Sequence, residues 1–184
     1  MKYTIDKIKE RYDAEERMKY IFFWGHRPRR DGQMSQSCFS QWWEESFTVD
    51  GATYQSAEHW MMAGKAKLFG DEETLQKIID SRTPAEAKKL GRQVRNFDND
   101  TWLANRYEIV LEGNKHKFSQ NELIKAFLLN TGNRVLVEAS PVDAIWGIGL
   151  AADYKGIENP HNWKGLNLLG FVLMEVRDWL QSGN

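Results

Sequence analysis

Hydrophobic and polar positions change period several times along the chain. Residues 1–19 mix six basic with five acidic side chains, and Ile5, Ile8 and Tyr12 recur at helical spacing, which predicts a short amphipathic lead-in helix. KYIFFWG, Lys19 to Gly25, has the aromatic and β-branched content of a strand that stops at a glycine; HRPRRDGQMSQS after it reads as a polar loop. SFTVDGATY, Ser46 to Tyr54, alternates around Asp50 and Gly51, a pair suited to a tight primed turn, and predicts a hairpin. From Ser56, a suitable N-cap, the period becomes helical. Thr83, Pro84 and Glu86 supply a cap, a first-turn proline and an N3 acid for another helix ending near Val94.

Two further helices are predicted, Asp100 to about Phe118 and Gln120 to Asn130, the second stopping before Gly132. VLVEA, Val135 to Ala139, is a short strand, and the glycine-punctuated stretch Ile145 to Gly165 is a long loop. A last helix aligns Leu166, Leu169, Leu173, Val176 and Leu180 along one stripe. No internal repeat or low-complexity linker interrupts the pattern. The expected architecture is α+β, a single mostly helical domain with a few short β-strands, spanning residues 20–184 behind the lead-in segment 1–19.

The helix opening at Ala57, AEHWMMAGKAKLFGD, is apolar yet carries a glutamate and two lysines, and ionised groups are expensive to bury alone. On a helical wheel, Met62, Phe69 and Lys65 fall in a narrow arc around Glu58, with Met61 and Leu68 beside it, while Lys67 falls on the opposite side. Glu58 and Lys65 therefore sit inside the apolar arc, roughly 10 Å apart in rise, and Lys67 points away. Desolvation raises a carboxyl pKa and lowers an ammonium pKa, the directions that make a general acid and a nucleophilic amine. Two bland readings compete: Glu58 complements the helix dipole, and Lys65 snorkels to an edge. His59, on the flank of that arc, is either a hydrogen-bonded structural imidazole or a ligand-facing one.

Composition narrows the class. The net charge is −1, from 25 basic and 26 acidic residues, so no polyanion partner is implied by charge alone. The single Cys38 excludes an internal disulfide, and four scattered His give no zinc-ligand spacing; no metal and no cofactor are expected. No apolar run approaches a membrane span and the start has no signal-peptide core, so a cytoplasmic protein without membrane contact is expected. Eight Trp exceed what packing requires, and some are candidates for a pocket wall. Trp24, beside Gly25, is a stacking platform or a core residue. Arg27, Arg29 and Arg30 grip a phosphate or are solvated. In SPVDAIWGIG, Asp143 and Trp146 precede Gly147 and Gly149, which permit close backbone approach to a ligand or simply make a turn capped by an Asp.

Taken in order, CFSQW (Cys38 to Trp42), VDGATYQSAEHWMMAGKA (Val49 to Ala66), AKKLGR (Ala87 to Arg92), Lys117-Phe118, TGNRVLVEAS (Thr131 to Ser140), DAIWGIG (Asp143 to Gly149) and KGLNLLGFVLMEVR (Lys164 to Arg177) resemble the NADAR or YbiA-like family. The resemblance covers most of the chain and implies an N-glycosidase cutting between a ribose anomeric carbon and an exocyclic amine. The implied substrate is a small phosphorylated ribosylamino-pyrimidine of riboflavin biosynthesis or an ADP-ribosylated guanine base, with no obligate protein partner. It implies catalytic roles for Glu58, Lys65 and Asp143. By the same resemblance substrate-binding roles fall to Trp146, Gly147, Gly149 and Asn167, and Trp24, Gly25, Gln41 and His59 are added as substrate-binding candidates from their own places in the sequence. Gln41 and Trp42 stand where the family often has Asn and Phe, which bears on hydrogen bonding to the sugar; Ile148 replaces an Asp of some members, which argues against an essential acid there. Two enzymatic routes fit, a lysine Schiff base at Lys65 with Glu58 moving protons, or direct hydrolysis with Lys65 holding phosphate. A non-catalytic ADP-ribose reader using Trp24, Trp42 and Trp146 is the alternative of another class.

Overall fold

The computed structural model describes residues 1–183, and the fold is α+β and mostly helical. The chain falls into two compact units, Gln41–Glu122 and Met1–Ser40 with Leu123–Asn184.

The Gln41–Glu122 unit begins with the hairpin β2 (Phe47–Val49) and β3 (Ala52–Tyr54), paired antiparallel with Thr48 opposite Thr53. Asp50 and Gly51 adopt φ of 50° and 81°, the pair of left-handed residues that a primed turn needs. Gln120 pins the hairpin from both sides: its Oε1 accepts from Thr48 N and its Nε2 donates to Thr48 O, each at 2.9 Å. Four helices follow: α2 (Ala57–Leu68), α3 (Glu72–Ile79), α4 (Pro84–Gly91) and α5 (Asn99–Gln120). Their starts are local chemistry. Ser56 Oγ accepts from His59 N, and Thr83 with Glu86 forms a full capping box, so two orphan N–H groups are satisfied reciprocally. α4 stops at Gly91, short of the Val94 expected from the sequence.

Helix α3 is not expected from the sequence pattern. Asp71 creates it: its carboxylate caps Thr74 N at 3.2 Å and also takes Arg95 Nη2 at 2.6 Å and Arg95 N at 2.9 Å. The Arg95 guanidinium, helped by the Arg95 N–H, holds that carboxyl well below the usual carboxylate range. α2 packs on α3, α4 and α5. The approach to α5 depends on absent side chains, since a Cβ on Gly113 would lie 2.3 Å from Trp60 Cδ1 and one on Gly64 2.6 Å from Ile109 Cγ2.

In the other unit, α1 (Ile5–Asp13), capped by Thr4, lies against the short 3-10 turn Pro160–Asn162; His161 Nε2 meets Asp13 Oδ1 at 2.7 Å. β1 (Tyr20–Phe23) pairs in parallel with β4 (Val135–Glu138), from Tyr20 opposite Val135 to Phe23 opposite Glu138. α6 (Glu122–Leu129) leads toward β4, and α7 (Leu168–Gln181) packs across it. Phe171, Val172, Leu173 and Val176 of α7 are fully buried. So is nearly all of Arg177, whose Nη1 donates to Thr131 Oγ1 at 2.8 Å and Arg134 O at 2.9 Å. Another 3-10 turn, Gln36–Phe39, buries Cys38 and Phe39 inside the stretch after β1.

Candidate active site

The Gln41–Glu122 unit holds Gln41, Glu58, His59 and Lys65. Glu58 occupies the first turn of α2 with only 2% of its surface exposed; Lys65 is half-buried and Lys67 exposed, as the wheel orders them. The Glu58 N–H donates to Gln41 O at 2.9 Å, which binds the segment before the hairpin to the head of the helix. The Gln41 side chain is buried, and its Oε1 accepts from Asn114 Nδ2 at 2.9 Å, while the same nitrogen donates to Val110 O at 2.8 Å. These two bonds fix both amides, because turning either over would set donor against donor or acceptor against acceptor. Gln41 Nε2 and Asn114 Oδ1 then remain buried without a hydrogen bond, a costly donor and acceptor held beside the Gln41–Glu58 contact.

Lys65 Nζ donates to Gly91 O at 2.8 Å, at the carbonyl end of α4, and lies 4.2 Å from the Phe97 ring centroid and 5.8 Å from that of Trp102. Helix-end carbonyls and ring faces both attract a cation. Burial nevertheless pushes the Lys65 pKa below the ordinary lysine value. His59 is fully buried, with Nδ1 at 2.8 Å from Ser56 Oγ and Nε2 at 3.2 Å from Ser81 O. Both ring nitrogens are thus engaged within the protein, and burial lowers the pKa so that the ring is neutral at pH 7.

Two polar residues of α5 carry no assignment from the sequence. Asn114 and Lys117 are both 0% exposed, and Lys117 Nζ sits 5.2 Å from the Phe118 ring centroid. The available signal was position: Val110, Asn114 and Lys117 stand at i, i+4 and i+7, one face of the helix, with an apolar residue at its head.

The other unit holds the remaining candidates. Trp24 and Gly25 follow directly on β1; Trp24 is 58% exposed and Gly25 has φ of 80°. Ala139 N donates to Phe23 O at 2.9 Å, so the carboxyl ends of the two parallel strands stand side by side, the end at which ligands bind in open α/β sheets. The loop after β4 is folded by its own main chain. Asp143 Oδ1 accepts from Ile145 N and Trp146 N, each at 2.8 Å, and Asp143 O from Gly149 N at 3.0 Å. Gly147 O accepts from Asn167 N at 3.1 Å, and Trp146 O from Leu169 N at 3.1 Å. Asp143, Trp146, Gly147, Gly149 and Asn167 are thereby brought together.

Gly147 is packed so closely that a Cβ would lie 2.8 Å from Glu138 O, and Gly149 has φ of 67°. Asn167, fully buried with φ of 54°, accepts from Glu138 N through Oδ1 and donates to Leu136 O through Nδ2, each at 2.9 Å; its amide continues the edge of β4 as a strand would. Glu138, at the end of the apolar run VLVE, is a half-buried carboxylate that a strand pattern alone does not mark.

Among the described residues no group of three His, Cys, Asp or Glu is placed to hold a metal ion, and no helix is long and apolar enough to cross a membrane.

Residues 22–181 match the NADAR domain. The chain is 46% identical over 166 residues to N-glycosidase R617 of Acanthamoeba polyphaga mimivirus, covering 87% of this chain and 95% of that protein. It is 33% identical over 137 residues to riboflavin biosynthesis protein VVA0006 of Vibrio vulnificus, covering 74% of this chain and 34% of that longer protein. Its fold is similar to the NMR structure of the E. coli protein YbiA, with a TM-score of 0.72 and 28% identity over 90% of this chain and 86% of that one. A family match over nearly the whole chain, with a relative 46% identical over most of both chains, makes this protein a member of the NADAR family.

Proposed function

We propose that the enzyme hydrolyses the bond between a ribose anomeric carbon and an exocyclic amine, with a phosphorylated ribosylamino-pyrimidine of riboflavin biosynthesis as substrate. The observation that carries this reading is the burial of an acid and an amine on one helix: Glu58 is 2% exposed, and desolvation moves Lys65 toward its neutral, nucleophilic form. The relative named for riboflavin biosynthesis supports the substrate class.

In the proposed reaction the riboside ring opens to an imine. The Lys65 amine adds to its anomeric carbon, forming a new C–N bond, and the pyrimidine amine departs with a proton from Glu58. The Glu58 carboxylate then takes a proton from water as the water adds to the lysine imine, which releases ribose phosphate and frees Lys65. Gln41, with its unbonded Nε2, is proposed to bind the sugar; Asp143 is proposed to assist the reaction. Trp24, Gly25, His59, Trp146, Gly147, Gly149 and Asn167 enter as substrate-binding residues. For His59 and Asn167 the internal hydrogen bonds point to support of the backbone around them. A second reading gives the amine's part to Lys117, and its complete burial is what favours it.

Borohydride trapping during turnover, followed by peptide mapping, decides between the lysines: an adduct on Lys65 is expected, and one on Lys117 selects the second reading. Product analysis with the pyrimidine riboside phosphate and, separately, with an ADP-ribosylated guanine oligonucleotide tests the substrate. Ribose phosphate release is expected. ADP-ribose release alone would move the substrate to the modified base, and release from neither would overturn the assignment.

A further inference from the structure

The side of α2 turned away from Glu58 forms the wall of a cavity. On the helical wheel Lys67 and Trp60 both fall opposite Glu58. Between this side, the β2–β3 hairpin, α3 and α5 lies a half-open cavity of about 650 Å³, a size that suits a small organic ligand. Glu58 and Lys65 do not line it.

Its lining is divided chemically. Tyr54, Trp60, Leu75 and Ile109 supply an apolar interior, and the Tyr54 and Trp60 rings meet edge to face with centroids 4.9 Å apart. Trp60 is fixed in place, because Nε1 donates to Ile109 O at 2.7 Å and the ring rests on Gly113. Asp50, Glu72, Glu108 and Glu112 surround this interior against one cation of the lining, Lys67. Glu112 pairs with Lys115, which leaves three carboxylates facing a single ammonium. Asp50, Glu72 and Glu108 are all exposed. A rigid aromatic corner beside excess negative charge is the chemistry that selects a cation carrying an apolar body, since the ring faces and the carboxylates attract it together.

We propose that this cavity is a binding site for a small amphipathic organic cation, an amine or quaternary ammonium attached to a ring-sized apolar group. The apolar group lies against Trp60, Leu75 and Ile109, and the charged head faces Asp50, Glu72 and Glu108. The site is independent of the glycosidase reading, because none of these residues has a part in the proposed reaction.

Benzyltrimethylammonium is the probe, with benzyl alcohol and benzoate as neutral and anionic matches of its ring. NMR shifts of the Trp60 indole N–H and the Ala63 and Ile109 methyl groups report occupancy. The cation is expected to bind about tenfold or more tighter than either control, and raised salt to weaken it. Asp50→Asn with Glu72→Gln and Glu108→Gln, which removes the charges and keeps a residue suited to the turn, is expected to lose that preference while N-glycosidase turnover is unchanged. Equal shifts from all three probes, or none from the cation, would overturn the proposal. Binding there of a lysine-rich, tryptophan-containing peptide when the small cation fails would likewise overturn it, in favour of a protein-docking surface.

Discussion

Along α2 and α5 the marked residues reach the interior by their side chains, whereas in the loop from Ser140 to Asn167 they are held by the main chain. Glu58 and Lys117 are buried ionisable groups on regular helices, whose backbone hydrogen bonds their side chains do not supply. Asp143, Gly147 and Asn167 shape the backbone itself, through a turn cap, a close approach and a strand-like amide. The difference separates two kinds of importance. Substitutions of the first kind should remove activity from a folded protein, and those of the second should first remove stability.

The sharpest test of the first kind is Glu58→Gln, which keeps shape and removes the proton; turnover is expected to fall about 10²- to 10⁴-fold with a thermal midpoint near that of the parent. Loss of stability without a selective loss of kcat would erase the contrast. Next is the pH profile. Because burial lowers the Lys65 pKa, its neutral fraction rises with pH through a midpoint below 10.5, so kcat/KM should climb along that limb. Lys65→Arg should abolish both the limb and the borohydride adduct.

On the loop side, Asn167→Ala strands Glu138 N–H and Leu136 O at a cost of about 1–3 kcal/mol each. Asn167→Gly restores the permitted φ of 54° but not the bonds, so denaturant unfolding should show only partial rescue. Gly147→Ala pushes a methyl onto Glu138 O and should cost about 1–3 kcal/mol. Full stability with lost activity in either variant would place these residues with Glu58 instead.

The smallest expected effect concerns His59. Its folded pKa lies below the ordinary 6.5, so the unfolded chain takes up the proton first as pH falls. Stability from the neutral ring is complete above about 6.5 and is lost as pH drops through the lowered folded pKa. Thermal scans of His59→Gln should show a flatter acid limb than the parent.

What was legible in the sequence was what neighbours decide. Asp50-Gly51 needs only its own φ values, and Ser56 and the Thr83–Glu86 box need only the next turn of helix. The burial of Glu58 also followed from period alone. Helix α3 did not, because Asp71 works through Arg95, far along the chain. Nor did the pairing of β1 with β4, which no local pattern encodes. Lys117, noted only within a matching segment, and Asn114 received no role because nothing local marks a lysine or an asparagine on a long helix as interior; only the packed partners do.

The parallel pairing of β1 with β4 also sets an order of events during synthesis. Everything from Trp24 to Arg134, including all of Gln41–Glu122, leaves the ribosome before β1 can meet its partner. The helical stretch closes through short-range contacts and can condense early, while YIFF waits as an unpaired apolar edge. A nascent chain arrested before Val135 therefore exposes a segment prone to sticking, and that interval is where a holdase would be needed most.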